Sequence, residues 1–216
     1  MQIELEQIIL SPGERLLLKN VSWQQFESVL EKLGEHRSSK VNYSDGTLEI
    51  MTPLLEHEKA KSIIGNIVEF LLDEFHLDYE PSASTTFKNS LMNQGVEPDE
   101  SFYIASRNFV IGKNKIDLTV DPPPDLAIEI DITSRTQFDN YQVLGIPELW
   151  RLTRDGKLQI NVLENGRYIQ SQLSPTFSQL PGLSEMIAEC LQESKIVGTS
   201  LALRNFKEAV RSYLQS

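Results

Sequence analysis

The chain has 216 residues, 40% of them hydrophobic and 24% charged, with a single cysteine, and these globular proportions exclude collagen-like, disulfide-stapled and disordered readings. Lys and Arg total 20 against 31 Asp and Glu; a formal charge of −11 argues against coating nucleic acid through a general positive field, so any phosphate partner must be met locally. The N-terminal MQIELEQIIL carries acids where a secretory signal carries Lys or Arg, no apolar run approaches the roughly 18 residues of a membrane span, and Cys190 stands alone in an apolar helical run. A soluble, cytoplasmic protein is expected.

Ser22 is placed to cap a helix over 23–33, where Phe26, Val29, Leu30 and Leu33 follow at helical spacing until Gly34. Residues 39–43 and 47–51 read as a hairpin around Asp45-Gly46. After Pro53 the stripe Ala60, Ile64, Ile67, Leu71 and Phe75 predicts a long, deeply packed helix; His57 extends that stripe inward, and Glu58 lies on the opposite side. β-favouring segments at 79–87, 101–105, 115–120 and 125–132 predict one central sheet. Thr133 or Ser134 should cap a helix running to about Leu144, followed by strands at 148–152, 157–163 and 167–172. Helices over 184–193 and 200–214 close the chain, the second with Leu203, Phe206, Val210 and Tyr213 on one stripe. With no repeat and no linker, the expectation is a single α/β domain with a β-rich centre; Trp23 and Trp150, set in apolar patterns, belong to its packing.

The window 96–131 holds eight acids and three bases in a stretch that should form buried sheet, and sheet interiors disfavour carboxylates. In Pro122-Pro123-Pro124-Asp125-Leu126-Ala127-Ile128-Glu129-Ile130-Asp131, strand alternation puts Asp125, Ala127, Glu129 and Asp131 on one face and Leu126, Ile128 and Ile130 on the other. Same-face acids two residues apart suit a hard divalent cation, while a solvent-facing edge strand would explain them equally well. Asp99, in Glu97-Pro98-Asp99-Glu100 at the start of a second apolar strand, favours the cation.

Pro-Asp on one strand, followed about 30 residues on by an acid-bearing strand, resembles the PD-(D/E)XK nuclease superfamily and, more narrowly, the Uma-two family of endonucleases. The residues that carry this run in order: Asp45-Gly46, Glu49-Ile50-Met51, Pro53 and His57; Glu97-Pro98-Asp99; Pro124-Asp125-Leu126 with Glu129; Tyr141; Gly145-Ile146-Pro147-Glu148-Leu149-Trp150; and Leu180-Pro181-Gly182-Leu183. The resemblance implies a restriction-endonuclease-like α/β fold, a mixed sheet flanked by helices. The core covers about 20–190, and a C-terminal helical extension follows from about 198 to 216. It further implies Mg²⁺ or Mn²⁺ held by Asp99 and Glu129, with Asp125 as a further ligand, and hydrolysis of phosphodiester bonds in DNA, with homodimers common among such proteins. Two residues after Glu129, where the superfamily places a lysine, stands Asp131, which suits an added ligand but not the lysine's task. Lys115, Arg135 and Arg151 are the candidates to supply the missing cation. His57 is either a partner of the ligand set or a satisfied helix-end histidine, and Glu56 and Glu58 are chiefly first-turn acids. The alternative from a different class is a silent nuclease-fold interaction module. One Cys and three His without ligand spacing argue against structural zinc, and phosphate-loop and nucleophile-elbow motifs are missing.

Overall fold

The structure, a computed structural model, describes residues 8–34, 37–132 and 138–215. The first layer grows from local signals. β1 (Arg15–Lys19) precedes α1 (Trp23–Leu33), which Ser22 opens with a capping box: its side chain accepts from Gln25 N, and Gln25 Oε1 accepts from Ser22 N. β2 (Lys40–Ser44) and β3 (Thr47–Met51) follow, joined through Asp45 (φ 43°) and Gly46 (φ 84°), a two-residue turn with both central angles positive. With β5 (Phe87–Asn89) and β6 (Gln94–Val96) they make an antiparallel five-stranded sheet ordered β1-β3-β2-β6-β5. One face of β2 and β3 packs Val41, Tyr43, Leu48 and Ile50 against Phe26 of α1.

The second sheet has six strands in the order β11-β10-β9-β8-β7-β4, where β4 is Glu80–Pro81, β7 Glu100–Tyr103, β8 Leu126–Ile130, β9 Glu148–Leu152, β10 Leu158–Glu164 and β11 Arg167–Ser171. It is mixed: β8 and β9 run parallel, joined across α3 (Phe138–Leu144), while the other neighbours are antiparallel. α2 (Leu55–Glu74), α4 (Leu183–Val197) and α5 (Thr199–Leu214) cover the face that carries Leu126, Ile128 and Ile130. Ala127 on the opposite face joins Tyr141, Leu144 and Leu149 in a separate core. The alternation read from 125–131 therefore holds, but both faces are covered, because β8 is an interior strand whose five residues are all buried.

Several expectations are corrected. The strands form two sheets instead of one, and β1 and β6 had no place among the predicted elements. Residues 115–120 form loop and turn instead of strand, and Asp117 Oδ1 accepts from both Thr119 N and Thr119 Oγ1, which draws the backbone away from a ladder. The 79–87 segment is mostly loop: it contributes the two-residue edge strand β4, where Pro81 sits at the sheet margin, and Phe87, the first residue of β5. On α5 the buried line is Ala202, Phe206 and Val210, and Tyr213 is 46% exposed. These residues join the main core beside α2 and α4. The predicted caps Thr133 and Ser134 lie outside the described residues. No helix among the described residues is long and apolar enough to cross a membrane.

Gly95 of β6 stands opposite Tyr43 of β2, under the Phe26 ring, which stacks on Tyr43 with centroids 4.7 Å apart. A Cβ there would meet Phe26 Cζ at 2.8 Å, and Phe26 is fully buried with no room to retreat. Gly95→Ala is expected to cost about 1–3 kcal/mol through overpacking, read as a lower urea midpoint with an unchanged slope.

Candidate active site

Glu97-Pro98-Asp99 leads into β7 at the place where β7 stops pairing with β8. Asp99 N donates to Ile128 O at 2.9 Å, and Asp99 Oδ2 accepts from Ile130 N at 2.7 Å, so the side chain stands in for the next ladder partner and is fixed beside the middle of β8. Glu129 projects from β8 on the face opposite Ile128 and Ile130. It accepts a hydrogen bond from the Tyr141 hydroxyl of α3 on Oε1. Into the gap between the two acids reaches Lys40, from the first residue of β2 in the other sheet. Its Nζ donates to Glu129 Oε2 at 2.6 Å and to Asp99 Oδ1 at 3.1 Å. From the first turn of α2, His57 brings Nε2 to 3.2 Å from Asp99 Oδ2, within ion-pair reach, although that buried nitrogen makes no hydrogen bond of proper geometry among the described residues. Its Nδ1 lies 3.3 Å from Glu58 Oε1.

The group is closed to solvent: Asp99 is 4%, Glu129 5% and His57 1% exposed, and the Lys40 side chain 10%. Burial alone would raise Asp99, but the Lys40 ammonium, His57 and the Ile130 amide outweigh it and hold the carboxyl well below its usual range. Burial dominates at Glu129; together with the Asp99 charge it overcomes Lys40 and Tyr141 and raises the group to about 8. Burial works against the charged form of Lys40, and its two carboxylate partners more than reverse this, keeping the ammonium charged. For His57 burial again opposes protonation, yet contact with Asp99 leaves the net shift upward.

Around this centre each remaining acid has its own partner. Glu97 accepts from Arg37 on both oxygens, at 3.0 and 3.1 Å, and from Val41 N at 2.8 Å, while Asn42 Oδ1 accepts from Glu97 N, locking the Pro-Asp segment to β2. Asp131 accepts a short hydrogen bond from Arg151 Nε, on the neighbouring parallel strand β9. Asp125 Oδ2 accepts from Ile104 N, Ser106 N and Ser106 Oγ, four residues and roughly 13 Å of strand upstream of Glu129. The structure thus brings Asp99, Glu129 and His57 together, turns Asp131 to Arg151, and uses Asp125 to fix the turn after β7. Of the candidate cations, Arg151 is engaged with Asp131, Lys115 is exposed on the loop before β8, and Arg135 lies outside the described residues. Glu56 pairs with Lys195 on the exposed side of α2.

Lys40 and Tyr141 complete the centre, and sequence reasoning assigned neither a role. The signal for Lys40 was alternation within the hairpin: Val41 and Tyr43 face the apolar core of the first sheet, so Lys40 and Asn42 face the other way, toward Glu97 and Asp99. Among the described residues no three His, Cys, Asp or Glu side chains form a ready metal cage. The two carboxylates converge on an ammonium group instead.

An interior sheet strand and a neighbouring strand entry present two buried acids to one ammonium group within a mixed α/β fold. The chain belongs to the Uma2 family, described as "Putative restriction endonuclease", whose model matches residues 23–191. Among solved structures it is similar to a protein from Anabaena variabilis described as a putative nuclease, at 15% identity with a TM-score of 0.48, over 70% of this chain and 90% of that one. No curated protein matches the chain.

Lys40→Met removes the shared ammonium from between two buried acids and leaves the ionised Asp99 without it, and breaking a buried ion pair on one side typically costs about 3–5 kcal/mol. Urea denaturation should show a loss of that order, and Glu129→Gln added to Lys40→Met should recover part of it, giving a clear coupling in the double-mutant cycle. A second expectation concerns pH. Glu129 is held at about 8 in the native protein, above its ordinary 4.5, so between those values the folded state keeps a proton that the unfolded chain has released. Its contribution to stability is full below pH 4.5 and declines as pH rises to about 8. Glu129→Gln is expected to flatten that decline in the metal-free protein, measured as melting temperature against pH.

Proposed function

We propose that the protein is a divalent-metal-dependent endonuclease that hydrolyses phosphodiester bonds in DNA, with Asp99 and Glu129 holding the cation. The observation that carries this reading is the convergence of those two carboxylates, from strands 30 residues apart, on one positive charge. The donor set fits a divalent ion in kind: two carboxylates and an imidazole whose buried Nε2 lacks a hydrogen bond of proper geometry. Mg²⁺ is commonly bound through one or two carboxylates plus water and phosphate, so a cage of three protein ligands is not needed. When bound, such an ion polarises a phosphoryl oxygen and lowers the pKa of a water.

The chain's own residues do the rest. Tyr141 donates to Glu129 Oε1 and Ile130 N to Asp99 Oδ2, so each carboxylate has one oxygen fixed and the other turned toward the shared gap. Lys40, spanning that gap, supplies the fixed ammonium that the superfamily pattern places where Asp131 stands; it would donate to the phosphate as negative charge builds there. Arg151 neutralises Asp131, which keeps a third uncompensated acid out of the centre. His57, against Asp99 Oδ2, orients that carboxylate from the α2 side.

The second reading, a silent module on the nuclease fold, is favoured by the same lysine, because an ammonium already seated between the carboxylates occupies the place a metal would take. One experiment separates the two. Millimolar Mg²⁺ or Mn²⁺ should raise the melting temperature of the wild type, and Glu129→Ala should abolish the shift. Cleavage of double-stranded, single-stranded and branched DNA should be metal-dependent, should disappear in Asp99→Ala, and should fall by roughly 10²-fold or more in Lys40→Ala, the scale of losing one charge-stabilising donor. An unchanged melting curve together with blank cleavage assays would leave the silent module standing.

A further inference from the structure

A cleft of about 950 Å³ opens on the α2 side of the second sheet, between the first two turns of α2, the C-terminal ends of β8 and β9, and the corner where α4 meets α5. Its floor is apolar, with Ile63, Ile132, Leu152 and Leu191 among its residues, and its rim carries Lys59, Arg154 and Lys195. Glu56 is the one acid in the lining, and it is paired with Lys195 at 3.1 Å. Lys59 and Arg154 are exposed and have no ion-pair partner among the described residues. In a chain with 11 excess negative charges, this rim has a net positive charge.

Its position relative to the acid pair is set by covalent connection. Lys59 is two residues beyond His57 on α2, Ile132 follows Asp131 at the end of β8, and Arg154 lies three residues after Arg151 at the end of β9. The cleft wall thus uses the start of the helix that carries His57 and the ends of the strands that carry the Asp131–Arg151 pair, on the α2 side of the sheet, across from the face that carries Glu129. At its far side α5 begins with Gly198 as its N-cap, with no capping side chain, so the first-turn amides of that 16-residue helix add donors to the rim cations.

We infer that this cleft holds the sugar–phosphate backbone of one nucleic-acid strand flanking the cleaved bond, with Lys59 and Arg154 as its phosphate contacts and the apolar floor against sugar and base edges. The inference rests on the nuclease reading and names the surface through which an acidic protein would meet its polyanionic substrate. Charge complementarity selects this occupant: a net positive rim along one concave surface gives local phosphate contact, where the overall field would repel DNA.

The test is binding of fluorescently labelled single- and double-stranded oligonucleotides to the full chain, followed by anisotropy in EDTA across a salt series, beside cleavage in Mg²⁺. Lys59→Ala with Arg154→Ala should weaken binding about tenfold or more and lower the slope of log affinity against log salt by roughly 1.5, as expected for two lost phosphate contacts. Lys59→Arg should keep the wild-type slope, and Lys19→Ala with Arg204→Ala, on surfaces outside the cleft, should change neither quantity. If wild type binds and cleaves but the cleft variants bind with unchanged affinity and slope, the cleft assignment falls and the nuclease reading stands. If wild type neither binds nor cleaves any of these substrates, both fall.

Discussion

Two carboxylates buried within reach of the same ammonium group bear a large desolvation cost, and what repays it decides how the chain is assembled. Lys40 lies 59 residues from Asp99 and 89 from Glu129, and it belongs to a different sheet from either strand. Its contacts therefore tie the hairpin layer to the mixed sheet at one point, with Arg37, Val41 N and Asn42 holding Glu97 just beside it. With one lysine against two acids, the Tyr141 hydroxyl, the Ile130 amide and His57 must supply the remaining stabilisation.

The acidic stretch 97–131 divides into residues that serve the fold and residues that face one another. Asp125 satisfies three donors at the turn after β7, Asp131 is matched by Arg151, and farther along Glu148, 2% exposed, accepts from Trp150 Nε1 and from Thr176. Each has dedicated partners, and for the buried Asp131 and Glu148 that is the condition under which a sheet interior tolerates carboxylates at all. Asp99 and Glu129 differ because their common partner is a single side chain reaching in from another layer. The density of acids that stands out in the sequence thus has two causes, and only partner geometry tells them apart.

Local elements were largely legible. Ser22 and Gly34 bracket α1, Asp45-Gly46 folds the hairpin, and the stripe from His57 to Leu71 is the buried side of α2. The alternation over 125–131 identified the two faces of β8 correctly. Where reading failed, a side chain competed with the backbone or a strand was too short to show a period. Asp117 makes its own turn, and β5 and β6, three residues each, are too short to show a period, their Phe87 and Val96 being buried in the core beside Tyr103 and Tyr141.

The sequence by itself determined that acids share a face with period two, that His57 points inward, and that no lysine follows Glu129 at the superfamily's spacing. These are properties of residue order within one element. Tertiary structure alone decided which acids converge, because that depends on where an interior strand meets a strand entry. It also decided that the compensating cation is Lys40, from the far sheet. A contact between layers leaves no periodic trace in the chain: a lysine opening a hairpin reads the same whether it ends in solvent or between two buried carboxylates, and only the stacking of the sheets distinguishes the two.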